Sequence, residues 1–254
     1  MNYIEYSHEK AIFLRAFEEQ LPVMIKGPTG CGKTRFVEYM AESLNLPVFT
    51  VSCNEDTSAS DLIGRFLLKG METPWLDGPL TRAVRHGGIC YLDEVVEARQ
   101  EAVVILNSIA DHRRQLFIDK TNEVLTAPPS FMLVVSYNPG YQSVLRDLKE
   151  SVKQRFIGLR FDYPTRDHES QIIHSETNCD HELAVLLADF GYRSRRMKED
   201  GLFEGVSTRM LINAAKLLRG KSLNSEMLES ALVDPVTDEP NLRASLKALL
   251  SVFL

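Results

Sequence analysis

The chain has 254 residues, enough for one large or two modest domains, and its 44% apolar and 25% charged residues are those of an ordinary globular protein. Acidic residues outnumber basic ones 35 to 29, a formal charge of -6 that disfavours non-specific binding to nucleic acid. No apolar stretch approaches the roughly 20 residues that span a bilayer, and the opening MNYIEYSHEK lacks a basic-then-apolar leader pattern, so no membrane insertion and a cytoplasmic location are expected.

Residues 7–21 carry Ile12, Phe13, Ala16 and Phe17 among charges, the spacing of a short amphipathic helix. Pro22-Val23-Met24-Ile25 reads as a buried strand, and residues 35–41 read as a helix. Between them lie Gly27, Pro28, Thr29, Gly30, Cys31, Gly32, Lys33 and Thr34, the string GPTGCGKT. Strand, glycine-rich turn and helix form the setting in which G-x-x-x-x-G-K-[ST] binds nucleotide phosphates. The glycines allow successive N–H groups to point inward, and the helix adds the positive end of its dipole. Lys33 is expected to reach the β- and γ-phosphates of a nucleotide, and Thr34 to offer its hydroxyl to Mg²⁺.

Residues 48–52 read as a second buried strand, completing a βαβ unit that favours a mainly parallel sheet. Residues 53–61 are polar and loop-like. Residues 62–79 mix apolar side chains with three glycines and two prolines. They suggest a short hairpin with two readings for Phe66, Leu67 and Trp75: presented to a partner, or, for Trp75, folded back on its own domain. A short helix over 80–86 and the strand Ile89-Cys90-Tyr91-Leu92 follow, and that strand ends in Asp93-Glu94. Two acids at the end of a buried strand beyond a phosphate loop fit one carboxylate on Mg²⁺, Asp93, and one that orients or deprotonates the attacking water, Glu94.

Residues 97–111 carry a helical stripe closed by His112-Arg113-Arg114. These arginines either reach a neighbouring subunit or satisfy the end of their own helix. Residues 115–118 and 123–126 read as a hairpin. Residues 131–137 form the clearest buried strand, and Asn138 at its C-terminal end is placed to hydrogen-bond the lytic water or the γ-phosphate, although Asn-Pro-Gly is also a common turn. A helix over 145–156 and a fifth strand over 157–161 complete an α/β domain. Beyond it, residues 166–177, 180–192, 207–218, 224–232 and 242–253 read as helices with no strand between them. Ser207 N-caps the helix that carries Arg209, and Arg193, Arg195, Arg196 and Lys198 read as a solvated face. Four cysteines, Cys31, Cys53, Cys90 and Cys179, have no CxxC spacing and suggest neither a disulfide framework nor a zinc site.

The stretches GPTGCGKTRFVE, CNEDTSASDLIGR, WLDGPLTRA, ICYLDEVVEARQE, SYNPGYQS, LKESVKQRF and GVSTRM together resemble the AAA+ ATPases of the MoxR branch, and within it the CbbQ/NirQ/NorQ family. The resemblance implies an α/β fold: a P-loop NTPase domain with a five-stranded, mainly parallel sheet over residues 1–164, carrying insert hairpins near 64–77 and 115–126. A small all-helical lid over residues 165–254 would follow. It matches Lys33 and Thr34 to Walker A, Asp93 and Glu94 to Walker B, Asn138 to sensor 1, Arg155 to the arginine finger of a neighbouring subunit's site and Arg209 to sensor 2. It also implies ATP hydrolysis with Mg²⁺ by a homo-hexamer that remodels a client enzyme with a von Willebrand factor A domain partner. Stretches such as WLDGPL and SYNPGYQSVLRDLK are closer to the CbbQ set. Rubisco activation, by release of inhibitory sugar phosphates, is therefore the first client implied, and maturation of nitric oxide reductase the alternative. Other MoxR-type clients and DNA-associated AAA+ work stand behind these.

Overall fold

A computed structural model describes residues 3–5, 7–68, 70–139, 148–197, 202, 204–220 and 223–253. Contacts divide the chain into two compact units, one chiefly Ser7–Pro28 and Lys33–Phe161, the other Thr29–Gly32 and Asp162–Leu254.

The first unit is built on five parallel strands: β1 (Val23–Lys26), β2 (Val48–Ser52), β5 (Gly88–Asp93), β8 (Phe131–Tyr137) and β9 (Ile157–Arg160), in the order β2-β5-β8-β1-β9. Three central strands are apolar because both their faces are covered. One face packs Met24, Cys90, Leu92, Leu133 and Val135 into a large core. On the other, α1 (Glu9–Glu18) and α2 (Lys33–Ser43) contribute Phe13 and Phe36, whose rings meet edge-on at 5.4 Å, and Phe36 meets Phe161 at 5.2 Å. The strand β2 is not buried as expected: it lies at the sheet edge, paired only with β5, and its side chains are half-buried or exposed.

Two antiparallel hairpins leave this sheet. The first pairs β3 (Gly64–Phe66) with β4 (Trp75–Asp77), and the second pairs β6 (Gln115–Ile118) with β7 (Glu123–Thr126). The stretch before the first is not simply loop. Ser58 and Asp61 form a capping box that starts a short helix, α3 (Ala59–Ile63). Trp75 folds back: half-buried against the core, it stacks edge-on with Phe66 and donates to Asp77 Oδ1 at 2.7 Å. Phe66, Leu67 and Met71 remain exposed. From α4 (Pro79–His86), Arg85 reaches both hairpins, donating to Asp77 Oδ2 at 2.9 Å and, through both terminal nitrogens, to Glu123 at 2.6 and 2.7 Å.

The stripe expected over 97–111 is a single turn of 3-10 helix at Val95–Glu97 followed by α5 (Gln100–Ile109), the break falling where Arg99 donates its N–H to Thr57 O. At its end Arg113 pairs with Asp111, 2.7 Å away. Arg114 turns inward to the carbonyls of Gln20, Pro128 and Phe131, so it ties the unit together. Of the helix expected over 145–156, residues 145–147 lie outside the described residues, as does Gly140. The described part is α6 (Glu150–Lys153).

The second unit contains α7 (Arg166–Thr177), α8 (His181–Arg196), α9 (Thr208–Leu217), α10 (Ser225–Leu232) and α11 (Pro240–Ser251) around Ile173, Leu187, Phe190, Leu211, Leu228 and Leu246. Ser207 caps α9 by accepting from Met210 N. The basic run on α8 is not one solvated face. Arg193 lies outside on Asp189, whereas Arg195 turns in, holding fully buried Glu169 through both terminal nitrogens at 2.7 and 2.8 Å. Thr208 Oγ1 donates to the same carboxylate at 2.5 Å, and Arg195 Nε donates to Val206 O at 2.8 Å. Lys198 lies outside the described residues. Removing one member of a buried pair strands the other's charge, at a cost of about 3 kcal/mol or more. Glu169→Gln should therefore destabilise the helical unit by about that much in urea unfolding, and Arg195→Met on the same chain should recover most of the loss. Additive losses would contradict a pair acting as one.

Candidate active site

In parallel sheets, ligand-binding groups gather beyond the carboxyl ends of strands. Here β1 leads into the GPTGCGKT loop, β5 ends in Asp93-Glu94, and β8, which lies between them, runs into Asn138. Geometry demands glycine in the loop. Gly32 has φ +101°, and a Cβ on Gly27 would stand 2.7 Å from Phe161 O.

Lys33 opens α2 with its ammonium buried. Nζ donates to Gly27 O at 2.9 Å and Pro28 O at 3.1 Å, and lies 3.8 Å from Glu94 Oε1. Thr34 Oγ1 is 3.3 Å from Asp93 Oδ2. Glu94 has a left-handed backbone, φ 54° and ψ 47°, a costly conformation for a residue with a Cβ. It carries the carboxylate to Lys33 on one side and to the Asn138 N–H, 3.2 Å from Oε2, on the other. Lys33, Thr34, Asp93, Glu94 and Asn138 thus form one cluster.

Arg155 is not seen in it: half-buried just after α6, it donates to Ser151 O of its own turn. Arg209, its side chain exposed, is the second residue of α9, and its N–H donates to Gly30 O of the phosphate loop at 3.3 Å. Two further groups, which the sequence reading passed over as apolar strand, join the cluster. Tyr91 Oη lies 2.9 Å from Asp93 Oδ1 and 3.0 Å from Ser136 Oγ, and Ser136 Oγ also bonds Asp93 Oδ1. Their signal was polar tips two residues before Asp93 and Asn138 in otherwise apolar strands, hence on the same faces as those residues.

Two carboxylates against one ammonium leave the cluster electronegative. Burial, with Asp93 and Glu94 nearby, pushes the Cys53 thiol up to about 12. Burial also raises Glu94 above its ordinary range, opposed by Lys33 and reinforced by Asp93. Among the described residues no three His, Cys, Asp or Glu side chains group as a metal site. Hard oxygens from Thr34 and Asp93 beside an uncompensated negative charge fit Mg²⁺ shared with phosphates.

Residues 22–156 match the AAA domain model of the dynein-related subfamily, and residues 169–253 match the CbbQ/NirQ/NorQ C-terminal model. A RuvB mutant from Thermotoga maritima superposes over 96% of this chain and 69% of its own with TM-score 0.58 at 17% identity, a likeness of fold. Fold and phosphate-loop domain define an AAA-type ATPase. Protein CbbQ of Hydrogenophilus thermoluteolus is 52% identical over 93% of this chain and 88% of its own length. The denitrification regulatory protein NirQ of Pseudomonas aeruginosa is 52% identical over 96% and 93%, and Protein NorQ of Paracoccus denitrificans 49% over 97% and 92%. The chain belongs to the CbbQ/NirQ/NorQ family. No helix among the described residues is long and apolar enough to cross a membrane.

A Glu pKa raised on folding means that the folded state favours the neutral acid. The associated stability is greatest below the ordinary carboxylate range and is lost as pH rises through the raised value. Glu94→Gln should therefore stabilise the chain at pH 8, by no more than about 1 kcal/mol given the partial exposure of the carboxylate, and leave it unchanged near pH 3.5. Urea unfolding at the two pH values checks this, and a Gln variant weaker than wild type at pH 8 would contradict it.

Proposed function

We propose that this ATPase is a ring motor that couples ATP hydrolysis to remodelling of a client enzyme. The observation that carries the reading is the meeting of Lys33, Thr34, Asp93, Glu94 and Asn138 at the ends of β1, β5 and β8. In this reading Gly27 to Thr34 cradle the phosphates. Lys33 exchanges the Gly27 and Pro28 carbonyls for β- and γ-phosphate oxygens, whose charge it compensates better than neutral carbonyls do. Mg²⁺ would be held by Thr34 and Asp93, and when bound it supplies neutralisation of the phosphate charge. Glu94 orients the attacking water and takes its proton, a role that requires the ionised acid. Asn138, whose N–H holds Glu94 in the free chain, turns its amide to the water or γ-phosphate.

Arg155 acts in trans across a homo-hexamer interface, and Arg209 reaches the same nucleotide from the lid formed by residues 165–254. An ATP site shared between subunits turns hydrolysis into relative motion of neighbours. The insert hairpin near 64–77, with Phe66, Leu67 and Met71 exposed, is suited to pass that motion to a von Willebrand factor A domain partner or the client.

For the client, the stretches CNEDTSASDLIGR, WLDGPL and SYNPGYQSVLRDLK support Rubisco, released from inhibitory sugar phosphates in the cytoplasm. The denitrification name of the NirQ relatives supports nitric oxide reductase as the second reading.

The trans arrangement predicts that Arg155→Ala and Lys33→Ala subunits, each nearly inactive alone, recover part of the ATPase rate when mixed. Such rings contain interfaces pairing an intact Lys33 with an intact Arg155. Demonstrably mixed rings that stay inactive would contradict it. The client reading predicts that this chain, its von Willebrand partner and ATP restore carboxylation by sugar-phosphate-inhibited cognate Rubisco, and that Glu94→Gln abolishes the recovery. Restored activity of immature nitric oxide reductase, with Rubisco left inhibited, would establish the second client instead.

A further inference from the structure

Tyr91 and Ser136 stand in the ICYLDE and SYNPG stretches with no role assigned to them, yet they grip one of the two acids. The register explains how. Leu92 of β5 stands opposite Val135 of β8, so one step further Asp93 comes level with Ser136, and Tyr91, two residues before Asp93, shares its face. The Tyr91 side chain is fully buried, so packing fixes its hydroxyl.

Asp93 Oδ1 accepts from both Tyr91 Oη, at 2.9 Å, and Ser136 Oγ, while Oδ2 faces Thr34 Oγ1 at 3.3 Å. A carboxylate is otherwise free to turn about its last torsion. Two donors on one oxygen, each anchored in a central strand, stop that rotation. Ser136 Oγ also accepts from the Glu94 N–H at 3.4 Å, which helps hold the left-handed backbone at that residue.

We propose that the Tyr91 and Ser136 hydroxyls are positioning groups for the divalent cation. By holding Oδ1 they aim Asp93 Oδ2 at the point beside Thr34 where the metal accompanies the nucleotide. The inference rests on the nucleotide-site reading above. It does not give either hydroxyl a contact with ATP, so their loss is felt in metal affinity and not in the affinity of the loop for phosphates. Outer-shell partners of this kind typically carry tenfold or more of a metal's affinity.

Tyr91→Phe removes the hydroxyl and keeps the ring, and Ser136→Ala removes the second donor. Binding of Mn²⁺ to the full-length chain with ADP, followed by electron paramagnetic resonance of the free ion, should require about tenfold more Mn²⁺ in each variant. Affinity for a fluorescent ADP in EDTA should stay within about twofold of wild type, and thermal melting confirms that both variants are folded. Wild-type Mn²⁺ titrations in the two variants would overturn the proposal, as would an equal loss of ADP affinity with and without metal, the result expected of general damage. Wild-type chain that binds ADP but no Mn²⁺ would also overturn it, and leave the phosphate loop standing. A wild-type chain that binds no nucleotide would remove the site reading itself, and this inference with it.

Discussion

A buried ammonium must be satisfied on every side, and Lys33 is the constraint to which the first unit answers. Its nitrogen is held by two backbone carbonyls of the loop that precedes it, at 2.9 and 3.1 Å, with one carboxylate at 3.8 Å. Leaving such a charge without partners would cost several kcal/mol, so the loop has to bend back over its own helix. Glycine makes that bend possible at Gly32, and the missing side chain of Gly27 lets the loop pass close to Phe161. What satisfies the lysine in the free chain is weaker than what a polyphosphate offers. The same residue therefore serves the fold of the loop and, in the proposed function, the anion that the loop would hold.

The acids reach this lysine through the sheet order. Because β8 separates β1 from β5, the loop and the Asp93-Glu94 pair stand one strand apart, with Asn138 at the end of the strand between them. The left-handed turn at Glu94 then bends the second acid away from the strand direction, so Asp93 and Glu94 face different partners: Thr34 on one side, Lys33 and Asn138 on the other. Adjacent acids doing separate work need such a turn. Elsewhere in the unit Arg85 joins the two hairpins to α4 through Asp77 and Glu123.

What was legible in the sequence was local. The loop announces itself in eight consecutive residues, and Asp93-Glu94 and Asn138 stand where apolar strands stop, so the parallel five-stranded sheet and the ends of its strands can be read without knowing which strands are neighbours. The grip of Tyr91 and Ser136 on Asp93 cannot, because it depends on β5 lying beside β8 in a given register. The same ignorance of neighbours made β2 look buried when it is an edge strand. On α8 the arginine run hid a helical period: Arg195 falls on the inner face with Glu169, while Arg193 falls outside. The helix that Ser58 and Asp61 start with a capping box was missed, because the polarity of residues 53–61 reads as loop.

The central claim is that one nucleotide is held at the ends of β1, β5 and β8. Amide hydrogen exchange of the full-length chain, with and without ADP and Mg²⁺, reads those three segments separately. The account predicts slower exchange at residues 27–34, 91–94 and 136–138 together, saturating at a single nucleotide concentration. Protection of the loop alone, with the ends of β5 and β8 exchanging as in the free chain, would contradict it.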